Sequence, residues 1–187
     1  MVSRRNFYNR LVNWFIFQYY QVEFSKSITL NGIIKISSRG RVVLGNNVTI
    51  NSSARANFVG LANYSALVCS KGATIIIDDG CQISNSLIFA RRGITIGKSV
   101  FIGGGCQILD SDFHPLSSDE RVAKANKGAA EEIRIHDNVF IGANSIILKG
   151  VEIHANSIVA AGSVVTKDIG PSEIWGGNPA KFIRKNE

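Results

Sequence analysis

Residues 141–167 read IGANSIILKGVEIHANSIVAAGSVVTK, and the spacing of the aliphatic residues in this stretch decides the fold. Counting from Ile135, an aliphatic falls at every sixth position: Ile135, Ile141, Ile147, Ile153, Val159 and Val165. Four residues after each of the first five stands a small or β-branched residue, namely Val139, Ser145, Val151, Ser157 and Ser163. Neither the 3.6-residue period of a helix nor the simple alternation of a strand generates this pattern. The same beat recurs in Ile96, Ile102 and Ile108, in Ile77 and Ile83, and in Leu44 and Ile50. A period of six marks a parallel β-helix. Each hexad supplies a short strand and a corner, three hexads close a triangular coil of about eighteen residues, and coils stack at about 4.8 Å. The aliphatic points into the triangle, and the small residue fits beside it near a tight corner. Cys81 and Cys106 occupy the small-residue slot and are expected as core filler.

Two places break the beat. The step between Phe89 and Ile96 is seven, which puts one extra residue at a corner around Arg91-Arg92-Gly93. Between Ile108 and Ile135 about two dozen residues leave the repeat, and a long polar excursion in a compact repeat is usually a functional loop. This one contains His114. The ends differ as well. Residues 4–22 are rich in aromatic and aliphatic side chains, with Arg4, Arg5 and Arg10 near the start, and a helix is expected there. Its apolar residues spread too widely for one stripe, so it packs on the first coil or a neighbouring subunit. The sharper alternative is contact with a membrane surface. The chain leaves the repeat at Gly170-Pro171, and residues 170–187 are expected to cover the open end of the stack. The expected organisation is therefore a helical segment 1–27, a β-helix 28–169 with an extruded loop 109–132, and a cap 170–187.

Composition narrows the function classes. A 187-residue chain with 45% hydrophobic residues is neither collagen-like nor disordered. The apolar run Asn13 to Tyr20 is too short and interrupted to span a bilayer, and no cleavage site follows a secretory-type core. A cytoplasmic protein is expected, membrane-peripheral at most through its first helix. Three cysteines without CxxC spacing suggest neither a disulfide framework nor a zinc knuckle. The net charge of +7 is spread over Arg39, Arg41, Arg55, Arg91, Arg92, Lys124, Lys127, Lys167, Lys181, Arg184 and Lys185. No recognition helix or platform of stacking aromatics accompanies these cations, so a nucleic-acid partner is not expected. General solubility, a small polyanion such as a phosphorylated cofactor, and an anionic membrane stay open.

The stretch 141–167, followed by Gly176-Gly177-Asn178-Pro179-Ala180-Lys181, resembles the hexapeptide-repeat acyltransferases. The loop DSDFHP at 110–115 resembles the active-site loop of the branch containing galactoside, maltose and polysaccharide O-acetyltransferases. The resemblance covers residues 75–185 well and 30–75 loosely, and it is specific to the superfamily rather than to a substrate. It implies an all-β fold, a left-handed parallel β-helix with an N-terminal helix and a C-terminal capping segment. It also implies a homotrimer with active sites between subunits, and acetyl transfer from acetyl-CoA to a hydroxyl of a sugar or polysaccharide precursor. His114, followed by Pro115, matches the catalytic histidine, and Asn85 the asparagine near the acceptor. Phe140 stands where a tryptophan is often found beside the pantetheine arm of the cofactor. Ala143 and Ala161 match backbone positions that hydrogen-bond that arm. Thr166, Lys167, Lys181 and Arg184 match the groups around the nucleotide end of coenzyme A.

The chemistry gives His114 a role apart from the resemblance. Attack of a hydroxyl on a thioester requires removing a proton from a group that hardly ionises at neutral pH. An imidazole, ordinarily titrating at about pH 6.5, takes that proton and returns it to the departing thiolate. Backbone N–H groups or Asn85 would stabilise the oxyanion, and Asp110 or Asp112 is expected to hold the imidazole by one nitrogen. Transfer is expected to be direct, in a ternary complex. His136 and His154, eighteen residues apart, stack on adjacent coils. Three histidines converging on zinc would make a hydratase, but the spacing of ligands five apart is missing, so two outward histidines and no metal are expected. Arg91 and Arg92, at a corner near Asn85, either face solvent or contact a phosphorylated or acidic acceptor. Other readings are an amino-sugar N-acetyltransferase, a serine acetyltransferase (though these usually carry a longer amino-terminal helical domain), and a non-catalytic β-helix platform.

Overall fold

The computed structural model describes residues 4–59, 64–123 and 128–187, with side chains from Phe7 onward. The six-residue beat becomes three sheets, each a column of one short strand per coil, and every pairing between coils is parallel. The first face runs Glu23–Phe24, Arg41–Leu44, Thr74–Ile77, Gly93–Ile96, Ile133–Ile135 and Glu152–Ile153. The second runs Thr29–Gly32, Thr49–Ser52, Gln82–Ser84, Phe101–Ile102, Phe140–Ile141 and Ile158–Val159. The third runs Lys35–Ser38, Ala66–Cys69, Leu87–Ala90, Gln107–Leu109, Ile146–Leu148 and Val164–Val165.

In-register pairing turns the repeat into columns of side chains. Leu44, Ile77, Ile96, Ile135 and Ile153 stack on the first face. Ile50, Ile83, Ile102, Ile141 and Val159 stack on the second. Leu67, Ile88, Ile108, Ile147 and Val165 stack on the third. All are buried in one continuous core. Removing such a side chain from water is worth about 1.5–3 kcal/mol. The corners need residues that tolerate a left-handed backbone, and Asn47, Asn138, Asn144 and Asn156 supply them with φ between 54° and 62°. The small-residue slot does more than fill space. Ser145 donates to the carbonyls of Gly142 and Ala160 at 2.8 and 3.1 Å. The Cys81 and Cys106 thiols donate to the carbonyls of Gly97 and Gly142, at 2.9 and 3.2 Å, in the coils above their own. Burial pushes the Cys81 thiol up to about 11, and moves Cys69 and Cys106 in the same direction.

Four details depart from the sequence reading. Phe89 does not occupy the inward position: Ile88 and Ala90 face the core at 0% exposure, while Phe89 sits half-buried on the outer face. The step from Ile83 to Ile88 is five, so the irregularity of this coil begins before the strand and not only at Arg91-Arg92. The helix α1 spans Arg4–Tyr19, and Gln21, at φ 52°, ends it ahead of the expected limit at residue 22. The first strand then starts inside the segment expected to be helical. A second excursion separates Thr49–Ser52 from Ala66–Cys69. Finally, the repeat outlives Gly170-Pro171. Glu173–Gly177 adds another parallel strand to the second face, and Ala180–Lys185 folds back on it antiparallel.

The other end is covered by α1. Phe17 is buried, and Asn13 is buried while donating to the Gly32 carbonyl and accepting from the Ile34 N–H. Phe7, Tyr8, Leu11, Trp14, Phe15 and Tyr19 on the same helix are exposed. Among the described residues no helix is long and apolar enough to cross a membrane.

The inward assignment has a direct test. Ile88→Ala is expected to cost about 2–5 kcal/mol, the usual price of a core cavity, and Phe89→Ala less than half as much. Thermal or denaturant unfolding that ranks the two variants the other way would reverse the assignment.

Candidate active site

The extruded loop leaves the third face after Leu109 and re-enters the first at Ile133. Asp110, fully buried at its base, accepts the N–H groups of Arg91, Arg92 and Gly93 at 2.7, 2.7 and 2.9 Å. It thereby anchors the loop to the corner of the coil below. Asp112 pairs with Lys149 at 2.8 Å. Among the described residues neither carboxylate bonds the His114 ring, so the expected aspartate hold on the imidazole is not made within one chain. Both carboxylates are committed elsewhere. His114 is placed by backbone instead: its N–H donates to the Asp112 carbonyl at 2.6 Å. Phe113 before it adopts φ 61° and rests its ring 4.6 Å from that of Phe89. A left-handed conformation in so bulky a residue is uncommon and clusters at functional sites. Gly128, at φ 76°, closes over this turn, where a Cβ would fall 2.4 Å from the His114 carbonyl oxygen. The imidazole is left exposed. Beyond it lies the short helix α2, Ser118–Ala123. Lys124 and Lys127 lie outside the described residues.

Asn85 occupies a different edge, the corner between the second and third faces. It is buried at φ 43°, its side-chain N–H donates to the Asn57 carbonyl at 2.9 Å, and among the described residues its Oδ1 has no partner. Directly above it the corner is built from Gly104-Gly105, Ala143-Asn144 and Ala161-Gly162. These are tied together by Gly105 N–H to Asn85 C=O (3.0 Å), Asn144 N–H to Gly104 C=O (2.9 Å) and Gly162 N–H to Ala143 C=O (2.8 Å). Among the described residues no acceptor meets the N–H of Ala143 or Ala161, and both residues are accessible. The edge is narrow: a Cβ on Gly142 would lie 2.5 Å from the Ala161 nitrogen. Phe140 stands beside it on the outer second face, in register with Phe101, the two 47% and 44% exposed. A cavity of about 640 Å³ opens next to Asn85, lined also by Lys35, Tyr64, Leu87 and Gln107. The Lys35 ammonium lies 3.6 Å over the Tyr64 ring. Sequence reasoning missed Lys35 and Tyr64; the signal was the failure of the beat between Ile50 and Leu67.

The remaining expected residues divide between edges. Thr166 and Lys167 are exposed at the corner between the third and first faces, on the same edge as the His114 loop. Lys181 and Arg184 are exposed on the terminal strand Ala180–Lys185. Asn85 and His114 are not brought together within one chain. Asn85 precedes Leu87–Ala90, whereas the loop leaves from the opposite end of Gln107–Leu109, its in-register neighbour. A strand of this length spans roughly 10–13 Å. The Arg91-Arg92 corner, expected near Asn85, belongs to the His114 edge.

His136 and His154 do stack on adjacent coils, with ring centroids 5.1 Å apart and planes 13° from parallel. They sit at the corner between the first and second faces, away from His114, so three histidines do not converge. Glu152 joins them, 2.7 Å from His136 Nε2, and the three donor atoms lie within 4.8 Å of one another. The His136 hydrogen bond holds the Glu152 carboxyl below the usual carboxylate range.

Fold and repeat together define the class: a left-handed parallel β-helix of the hexapeptide-repeat type, with residues 132–167 matching the bacterial transferase hexapeptide (six repeats). More particularly, the chain is similar to the polysialic acid O-acetyltransferase of Escherichia coli O1:K1, 38% identical over 122 residues, covering 64% of this chain and 39% of that one. It is also similar to a hexapeptide-repeat-containing acetyltransferase from Vibrio cholerae, with TM-score 0.56 and 36% identity over 63% of this chain and 64% of that one. A structure of the Vibrio protein complexed with acetyl coenzyme A matches with TM-score 0.56 and 27% identity, covering 81% of this chain and 71% of that one. The chain spans about half the length of the curated relatives it matches first, 44%, 47% and 57% of them.

The anchoring role of Asp110 predicts that Asp110→Ala, which leaves three part-buried N–H groups without their acceptor, lowers stability by about 3 kcal/mol. Asp112→Ala, which breaks a single ion pair with both side chains about a quarter exposed, is expected to cost less, about 1 kcal/mol. Denaturant melts of the two variants check the contrast.

Proposed function

We propose that this protein transfers an acetyl group from acetyl-CoA to a hydroxyl of a sugar or polysaccharide precursor, with His114 as general base. The observation that carries the reading is the His114 imidazole itself, exposed and without a side-chain partner among the described residues, on a loop extruded from a hexapeptide coil. In this reading the imidazole takes the acceptor's hydroxyl proton as the oxygen attacks the thioester carbonyl. The tetrahedral intermediate then collapses to the ester, and the imidazolium returns the proton to the coenzyme A thiolate. No acyl-enzyme is required. The Ala143 and Ala161 N–H groups, free of partners among the described residues, receive the pantetheine arm, and Phe140 lies beside it. Thr166, Lys167, Lys181 and Arg184 take the phosphates, for which Lys and Arg are suited. The unpartnered Asn85 Oδ1 accepts a hydroxyl of the acceptor.

The division of these groups between two edges supports a homotrimer. The outer third face is apolar, with Val68, Leu87, Phe89, Leu109, Ile146 and Leu148 only half-buried, and a continuous apolar surface of this kind is normally covered. Packing that face on a neighbour brings the His114 edge of one copy to the Asn85 edge of the next. His114→Ala is expected to lower kcat by 100- to 10,000-fold with acetyl-CoA binding retained. A mixture of His114→Ala and Asn85→Ala chains, refolded together, is expected to regain part of the wild-type turnover. Thiol release from acetyl-CoA, over neutral, acidic and amino-sugar acceptors, measures both, and undiminished turnover in His114→Ala would sink the base assignment.

The exposed aromatic residues of α1, accompanied by Arg10 and by no acidic residue in its first turn, support contact with an anionic lipid surface. Co-sedimentation with vesicles rich in phosphatidylglycerol is expected for the wild type and is expected to drop at least tenfold for Trp14→Ser/Phe15→Ser. Equal sedimentation of the two would assign the helix to packing within the assembly.

A further inference from the structure

The corner between the first and second faces carries a group of ligand-forming side chains that the proposed transfer reaction does not use. His136 and His154 follow Ile135 and Ile153, which are paired on adjacent coils, and Glu152 stands on the outer side of the strand just before the second of them. The two imidazole rings are stacked with centroids 5.1 Å apart, and Glu152 Oε1 lies 2.7 Å from His136 Nε2. One donor atom from each of the three side chains lies within 4.8 Å of the other two. Among the described residues the His154 ring has no hydrogen-bond partner. The backbone under all three is fixed by the ladder. His136 N–H donates to the Ile153 carbonyl and His154 N–H to the Ile169 carbonyl, both at 2.9 Å, and Glu152 N–H donates to Asp168 Oδ1 at 2.8 Å. Arg134, in register below Glu152, pairs with Glu132 at 2.7 Å, while Asp168 adds a second negative charge beside Glu152.

From this we propose that the corner binds a borderline divalent transition ion such as zinc through His136, Glu152 and His154, and that the ion pins two successive coils together. Two imidazoles and one carboxylate suit zinc, nickel or copper, whereas magnesium and calcium take oxygen ligands. Three protein ligands leave the fourth place of a tetrahedral ion to water. Ligand atoms at about 2.1 Å from such an ion stand about 3.4 Å from one another. The ion takes the place of the proton shared by His136 and Glu152, whose donor atoms part by about 0.7 Å. The His154 nitrogen closes in by no more than about 1.4 Å. All three side chains are half-buried, so rotation of their outer atoms supplies these movements while the ladder holds the backbone, as a preorganised site requires. The corner lies opposite the third face, which the assembly proposed above covers, and it therefore opens to solvent. A count of histidines in the sequence hides this site, because its third ligand is a carboxylate one position ahead of an inward aliphatic.

The test is zinc chloride, with magnesium chloride for comparison, titrated calorimetrically into the full chain carrying no histidine tag. One zinc ion per chain is expected, bound at least a hundredfold tighter than magnesium, and the melting temperature is expected to rise as zinc is added. His154→Ala and Glu152→Gln are each expected to weaken zinc binding at least tenfold while keeping the melting curve that the wild type shows without zinc. His114→Ala is expected to bind zinc as the wild type does, which separates this corner from the loop histidine. Zinc binding no tighter than magnesium binding, binding undiminished in His154→Ala, or binding lost in His114→Ala would each overturn the proposal. None of the three ligands belongs to the proposed transfer site, so these outcomes do not depend on whether the protein transfers acetyl.

Discussion

Parallel in-register pairing between coils is the constraint on which everything else depends. Each strand's backbone groups bond the strand above and below, so a residue's place in its hexad determines its neighbours along the whole molecule. Aliphatics fall on aliphatics, serines and cysteines fall beside corners, and asparagine or glycine falls where the backbone must turn left-handed. The same rule acts on the outside. It stacks His136 on His154 and Phe101 under Phe140. A parallel solenoid copies a chemical group along an edge whenever the sequence repeats it.

How much of this could be read from sequence follows from where the copying is faithful. From Ile135 to Val165 the hexads are unbroken, and every inward and small-residue position assigned there is buried. At Leu87–Ala90 the four residues Leu-Ile-Phe-Ala are all apolar, so hydrophobicity could not say which alternate pair faces inward. Packing chose Ile88 and Ala90. Between Ile50 and Leu67 a polar insertion hid the register, and with it Lys35 and Tyr64 beside Asn85. Gly170-Pro171 looked like an exit from the repeat, because proline and glycine punctuate chains, yet Ile174 and Trp175 resume the second-face column.

The candidate site was legible as residues but not as an arrangement. His114 was found because it sits in a long departure from the beat. Asp110 and Asp112 were near it in sequence, and proximity suggested a carboxylate–imidazole pair. Asp110 instead accepts from three corner N–H groups, and Asp112 meets a lysine one coil up. Sequence distance also placed Asn85 and Arg91 close together, six residues apart, whereas the intervening strand puts them on opposite edges of one face. Edge membership is a property of the coil, and it is what separates Asn85 from His114 within one chain.

The terminal hairpin has a meaning beyond covering the core. A stack of identical parallel coils is a one-dimensional crystal, and its last strand offers unpaired N–H and C=O groups to any similar strand that arrives. Glu173–Gly177 is such a strand, and Ala180–Lys185 reverses direction and occupies its edge. Because the closing strand runs antiparallel and presents Lys181, Arg184 and Lys185, the next coil has neither the right polarity nor an uncharged surface to add to. On the second face a further parallel strand would therefore meet a reversed, charged edge.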